Sequence, residues 1–560
     1  MTKFLAFIIL VLNSLGRPGP PVQAPRADLV LTNARVWTAE PTRPWAEAIA
    51  IRGNRIVEVA SSDEVQRLIG EGTEVIDAGG KLAIPGINDA HTHFLRGSMG
   101  FFQVDLTGVR TLKEAQDKVI SFAKTHPSDA WITGGGWDYS IFPDKRLPTR
   151  ADLDAAVRDR PVYLWAYDGH TGWVNSKALE ISGVTAKSKV QGYGELVLDS
   201  KTGEPTGTLK ESAQSLVRSA IPSPTRESQL AALREGFHVA ASLGITSFQN
   251  ASGNAAELRL YEELCDQGAL SARVSLAMSV GAGTRKADFE KYAALMKSFP
   301  GPLLRVAAVK IMLDGVIESH TAAMLEPYSD GASTSGAPSL PQERLNQLVA
   351  EADQAGLQIL IHAIGDRAVR MALDSYEHAI KVNGIHDARF RIEHIETITS
   401  PDIARFARLG LLASMQPMHA DPGTNEVWEP AVGPERTKRA FAWRSLEQAG
   451  ARLVFSSDWP ATISVEPMRG IHNAVNRRTI DGYPPDGWVP DQRVSVETAL
   501  QAYTINGAFA SFEEKEKGSI TPGKLADIVL LSQDLFQIVP MDIYKTKVVT
   551  TIFDGKVIYK

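Results

Sequence analysis

The chain contains one cysteine, Cys265, among 560 residues. A single thiol cannot close an intrachain disulfide, and it excludes a structural zinc site built from several thiolates. Long apolar runs are also missing. None reaches the ~20 residues that cross a bilayer, so the mature chain is expected to have no membrane span. Strong charge of either sign is absent too. A net charge of −6 without a basic cluster argues against a nucleic-acid partner. Nor is there an internal repeat or low-complexity tract. What remains, 44% hydrophobic and 22% charged residues, suits a soluble globular enzyme. The length allows a large core and more than one domain.

The first residues read as a targeting segment. Lys3 precedes the apolar run Phe4 to Leu12, and Val22-Gln23-Ala24 has the small-residue pattern of a cleavage site. Residues 1–24 are therefore expected to be a signal peptide and the protein to be exported, periplasmic or secreted. The other reading is a cytoplasmic enzyme with an unstructured start.

Short strands and turns follow over residues 25–85. Ala48 to Val59 carries Gly53-Asn54 between two apolar runs, a hairpin signal. A matching text stands at the far end. Ala526–Leu531, Lys547–Phe553 and Lys556–Tyr559 are strand-like, with Asp554-Gly555 as a turn. Neither end can bury a sheet face alone, so the two are expected to form one small β-sandwich domain. Its second part falls within 481–560, after a last helical segment.

The middle, 86–480, alternates strands and helices. Gly86 to His93 follows a buried-strand run, and later candidate strands are Ile245–Ala251, Ala272–Val280, Leu304–Leu313, Gln358–Ile364, Phe390–Glu396, Leu411–Met418 and Arg452–Ser457. With the histidine strand that makes eight, which fits an α/β fold of the (β/α)8 TIM-like barrel type. Residues of about 97–235 are too many for one crossover and are expected to form an insertion over the barrel mouth.

The carboxyl ends of barrel strands carry active sites. In this chain they bear His91 and His93, then Lys310, His362, His394 and Asp458. His91 and His93 share one strand face, so both imidazoles can grip one divalent metal. Each residue has an ordinary alternative: core histidines for His362 and His394, an ion pair from Lys310 to Glu393 or Asp314, a helix cap for Asp458. Taken jointly, with only 12 histidines in the chain, the metal reading is favoured.

The set His91-Thr92-His93, Lys310, His362, His394, Asp458 resembles the metal ladder of the amidohydrolase superfamily. The runs Asp168–Leu179, Lys310–Gly315, Thr321–Tyr328, His362–Arg367 and Ser457–Pro460 resemble the amidohydrolase 3 family, which includes N-substituted formamide deformylase. Tyr503–Ala508 and Gly523–Ile528 agree. The resemblance implies a hydrolase of carbon–nitrogen bonds other than peptide bonds, acting on a small N-substituted amide or formamide. It implies two zinc ions, one on His91, His93 and Asp458, the other on His362 and His394, bridged by Lys310 after carbamylation. A free ammonium has no lone pair to offer a cation. Attack would come from hydroxide generated by metal-acidified water, with Asp458 carrying the proton.

His170 and His320 are candidates to stabilise an oxyanion or orient substrate, and Trp137, beside Gly134-Gly135-Gly136, to line the pocket. Asn250 stands where some relatives have an acidic residue. The alternatives are a cyclic-amide hydrolase or deaminase on the same site, and a non-catalytic binding protein on this scaffold. A homodimer is a further expectation.

Overall fold

Eight short, apolar, parallel strands form the centre of the molecule. In the computed structural model, which describes residues 26–142, 146–167, 169–191, 194–331 and 333–560, they are β1 (Ile87–Thr92), β2 (Ile245–Gly253), β3 (Arg273–Val280), β4 (Leu304–Met312), β5 (Gln358–Ala363), β6 (Arg391–His394), β7 (Leu412–Met415) and β8 (Arg452–Phe455). They lie side by side in chain order in one sheet. At the mouth β8 meets β1, where Asp458 N donates to His91 O at 2.8 Å and His93 N donates to Trp459 O at 2.8 Å. The result is a nearly closed TIM-like barrel, as the strand–helix rhythm predicts. Every residue of β1, β5, β6 and β7 is buried, which is why these strands read as unbroken apolar runs rather than alternating ones.

β6 and β8 stop earlier than the apolar text suggests. His394 and Ile395 have φ of +76° and +52°, and Asp458 has +56°. A left-handed residue cannot continue a strand, and for non-glycine residues it costs on the order of 1–3 kcal/mol. At His394 the turn has a purpose. Alternation sends Glu393 and His394 to opposite faces of a regular strand, yet here both side chains reach the barrel centre. Beneath them, Ala277, Ala308 and Leu360 form a small apolar layer that closes the barrel interior.

The chain ends do meet in one sheet. Leu82–Pro85 pairs in parallel with Arg35–Trp37 and antiparallel with Ile528–Leu531. A second sheet holds Leu29–Thr32, Ala48–Arg52, Arg55–Ala60 and Glu74–Asp77. The two share an apolar core that includes Leu31, Ile49 and Ile51 from one and Ala83, Ile528 and Ile552 from the other. The expected turn at Asp554-Gly555 is present, with both residues at positive φ as a tight hairpin requires.

After β1 the chain builds a separate six-stranded sheet between Val104 and Glu211. The helix Arg226–Ser242 then sends Leu230, Leu233 and Phe237 into the barrel core, so the barrel resumes before residue 235. The segment expected to be a signal peptide lies outside the described residues. Among the described residues no helix is long and apolar enough to cross a membrane.

Candidate metal centre

Five strand ends aim ligand-type side chains at one point. His91 comes from β1, and His93 follows it at the start of the helix Phe94–Met99. Lys310 comes from β4, His362 from β5, His394 from the end of β6 and Asp458 from the turn after β8. Asp458 is the hub. Its Oδ1 lies 3.4 Å from His91 Nε2 and 3.3 Å from His93 Nε2, and its Oδ2 is 3.8 Å from His394 Nδ1. Lys310 Nζ stands 3.3 Å from His91 Nε2, and the His362 and His394 rings are 4.4 Å apart between centroids. One ligand atom each from His91, His394 and Asp458 falls within a 4.8 Å cluster. All six residues named as metal ligands from sequence are thus brought together.

Two of these atoms have no hydrogen-bond partner despite complete burial: His394 Nδ1 and Asp458 Oδ1. A buried polar atom left unpaired costs about 1–3 kcal/mol, more when charged. Both can offer a lone pair to the same space, so a divalent cation would satisfy them together. The donor set of imidazoles and carboxylate suits zinc and similar metals.

The electrostatics favour ligand-ready forms. Burial, reinforced by the Lys310 charge, lowers His91 to about 4 and His362 to about 3. Burial also holds His394 well below the usual histidine range. Burial alone would raise Asp458, but the surrounding imidazoles hold it well below the usual carboxylate range. Burial lowers Lys310 to about 8 against the opposing pull of Glu393 and Asp458. At neutral pH His91, His362 and His394 are therefore neutral and Asp458 is anionic, the states that bind a cation.

A pH dependence follows. Protons and metal compete for the same lone pairs, so a depressed histidine pKa moves that competition to lower pH. Metal occupancy is expected to hold as pH falls through 6.5 and to be lost only on approach to about 4. Equilibrium dialysis against zinc across that range checks it. Half-loss of metal near pH 6.5 would contradict it.

Several residues of the site carry no sequence signature. His419, in the turn after β7, places Nε2 3.0 Å from Asp458 Oδ2. Its other nitrogen faces Glu396 at 3.7 Å, and Glu396 in turn accepts from Trp428 Nε1 at 2.7 Å. Burial would lower His419, but the hydrogen bond to Asp458 and the charge of Glu396 raise it to about 9. Glu393 pairs with His91 and Arg391, and Asp314 accepts from the backbone of Ala323, Ile364 and Gly365, so neither is the dedicated ion-pair partner that the alternative reading of Lys310 required. A fold-back of Trp459 onto the helix after His93 sets the Asp458 turn. Gly97 permits it, because a Cβ there would strike the indole.

Other expectations are not met. Trp137 has no exposed surface. Its Nε1 donates to Leu164 O at 3.2 Å, and its ring packs against Tyr139, Phe142 and Trp173 in the core of the insertion. The neighbouring glycines serve packing as well: a Cβ at Gly134 would strike Val104 backbone, and one at Gly135 the Trp165 ring. His170 is exposed on the insertion, with Nδ1 3.1 Å from Glu211. His320 is bound at Nε2 to Asp330 at 2.6 Å and lies edge-on to Tyr328. Neither placement supports an oxyanion role. Asn250 accepts from Phe94 N at 2.9 Å and so anchors the helix that follows His93.

Residues 74–559 match the amidohydrolase family. The chain belongs to that family. It is a hydrolase acting on carbon–nitrogen bonds, and its centre is that of a metal-dependent amidohydrolase. This amidohydrolase is 32% identical to the protein LONG AFTER FAR-RED 3 of Arabidopsis thaliana, over 95% of the chain and 92% of the relative. It is 28% identical to N-substituted formamide deformylase of Arthrobacter pascens, over 95% and 98%. Among solved structures, an uncharacterized metal-dependent hydrolase from Pyrococcus furiosus superposes with a TM-score of 0.72 at 28% identity, covering 92% of this chain and 99% of that one.

Proposed function

We propose that the enzyme hydrolyses the amide bond of a small N-substituted amide or formamide. The observation that carries this reading is the convergence of unpartnered His394 Nδ1 and Asp458 Oδ1 with His91 in one buried cluster of ligand atoms. The similarity to N-substituted formamide deformylase, which spans nearly the whole of both chains, supports the substrate class.

His91, His93 and Asp458 would hold one zinc ion and His362 and His394 a second, with Lys310 bridging them as its carbamate. Bound metal supplies a Lewis acid and lowers the pKa of water toward neutrality. The chain's own part is proton handling. Asp458 sits at the hub with its Oδ2 steadied by His419, placed to take a proton from the attacking water and return it to the leaving nitrogen.

The test is metal analysis paired with a panel of formamides, linear amides and cyclic imides. The expected result is two zinc ions per chain and turnover of an N-substituted formamide. Less than one metal per chain sinks the two-metal scheme, and full metal without turnover of any amide sinks the activity. In the same assay Lys310→Ala should lose metal and regain part of its turnover with short carboxylic acids. Unchanged metal content in that variant removes the carbamate from the scheme.

A further inference from the structure

We propose that Glu393 and Arg391 form a positioning relay that fixes which nitrogen of His91 faces the metal centre; this rests on the reading of His91 as a metal ligand. The relay is built into one strand. Arg391 and Glu393 are two apart in β6, so both point into the barrel. Together with His91 they are fully buried. Glu393 Oε2 lies 2.5 Å from His91 Nδ1, and its Oε1 accepts from Arg391 Nε at 2.8 Å.

Arg391 cannot swing away from this arrangement. Its remaining donors reach Gln249 Oε1 on β2, Ala90 O on β1 at 2.7 Å and Ser414 Oγ on β7 at 2.9 Å. Four strands thus hold one guanidinium, and that guanidinium holds one carboxylate. A carboxylate engaged at both oxygens can only accept, so His91 must carry its hydrogen on Nδ1. Nε2 is then left as a lone pair toward Asp458 Oδ1 at 3.4 Å and Lys310 Nζ at 3.3 Å. The carboxylate also supplies negative charge behind the ring, which makes Nε2 a stronger donor. Outer partners of this kind govern metal affinity by roughly 10- to 100-fold. The role differs from that of His419, which steadies Asp458 from the solvent side.

The test titrates cobalt(II) against a competing chelator into wild-type protein, Glu393→Gln, and the charge-balanced double variant Arg391→Gln/Glu393→Gln. Visible absorption is read alongside thermal melts of the metal-free proteins. Each variant that folds should bind cobalt about 10- to 100-fold more weakly and show displaced ligand-field bands. A folded variant with wild-type affinity and an unchanged spectrum overturns the relay. So does failure of both variants to fold, which assigns the pair to the core alone. If wild-type protein takes up no cobalt, the metal reading of the site falls and the relay with it. Uptake by wild type with equal uptake by the variants overturns the relay only.

Discussion

Asp458→Asn is expected to lower kcat/KM by about 10⁴-fold while the protein stays folded, the upper end of what one general acid–base group contributes. The substitution keeps the shape of the side chain and removes its charge. At the hub that exchange is severe. Oδ1 faces His91 and His93 at 3.4 and 3.3 Å, and Oδ2 receives His419 at 3.0 Å. An amide nitrogen at either position presents hydrogens toward space where a cation or a donor belongs. An amide also takes no proton at neutral pH. The fold should persist because Asp89, which accepts from Ser457 N at 2.9 Å and Ser457 Oγ at 2.5 Å, independently anchors the turn. Steady-state rates on the best substrate of the panel, with metal content measured in parallel, check this. Rates near normal with full metal would mean that the proton travels by another route.

The barrel was legible because its strands are buried on both faces. Gln358–Ala363 reads as a continuous apolar run ending in His362, and that is the state it adopts. Most of the ligand-type residues were legible for the same reason, since they stand where a strand-like run stops; Lys310 instead interrupts the run, with Ile311, Met312 and Leu313 after it. Less visible were the features that depend on φ or on distant pairing. Nothing in Arg391-Ile392-Glu393-His394 announces that His394 takes a left-handed conformation, although only that lets neighbours Glu393 and His394 share the centre. His91 and Glu393 are 302 residues apart, so their bond exists only once β1 and β6 stand across the barrel. His419 stands just past the expected strand Leu411–Met418, but β7 stops at Met415 and the turn Pro417–Ala420, not a strand end, carries the imidazole to Asp458. Trp137 misled for a local reason. An aromatic beside three glycines resembles a pocket wall, but the glycines admit the Val104 backbone and the Trp165 ring, and the indole fills the core behind them.

At the opposite end of the barrel, Asp527→Ala is expected to destabilise the protein by about 3–5 kcal/mol, the cost of stripping a buried ion pair of one partner. Arg273 opens β3, on the face away from the metal centre. It grips Asp527 through Nε at 2.7 Å and Nη2 at 2.9 Å, and Nη2 also reaches Asp554 at 2.8 Å. Arg273 is 2% exposed and Asp527 4%, so water cannot take over the lost contacts. Asp554 belongs to the C-terminal hairpin turn and also accepts from Asn54 of the N-terminal hairpin at 3.2 Å. One guanidinium therefore ties both chain ends to the barrel floor. Replacing Arg273 and Asp527 together by apolar residues should recover much of the loss, because matched removal of a buried pair is often close to neutral. Because the network lies at the far end from Asp458, turnover per folded molecule should not change. Denaturant unfolding of the metal-free proteins reads the stability, and metal-loaded kinetics read the activity. A loss below about 1 kcal/mol, within the range of exposed pairs, would show that the clamp is solvated and that the ends are held by their apolar core alone.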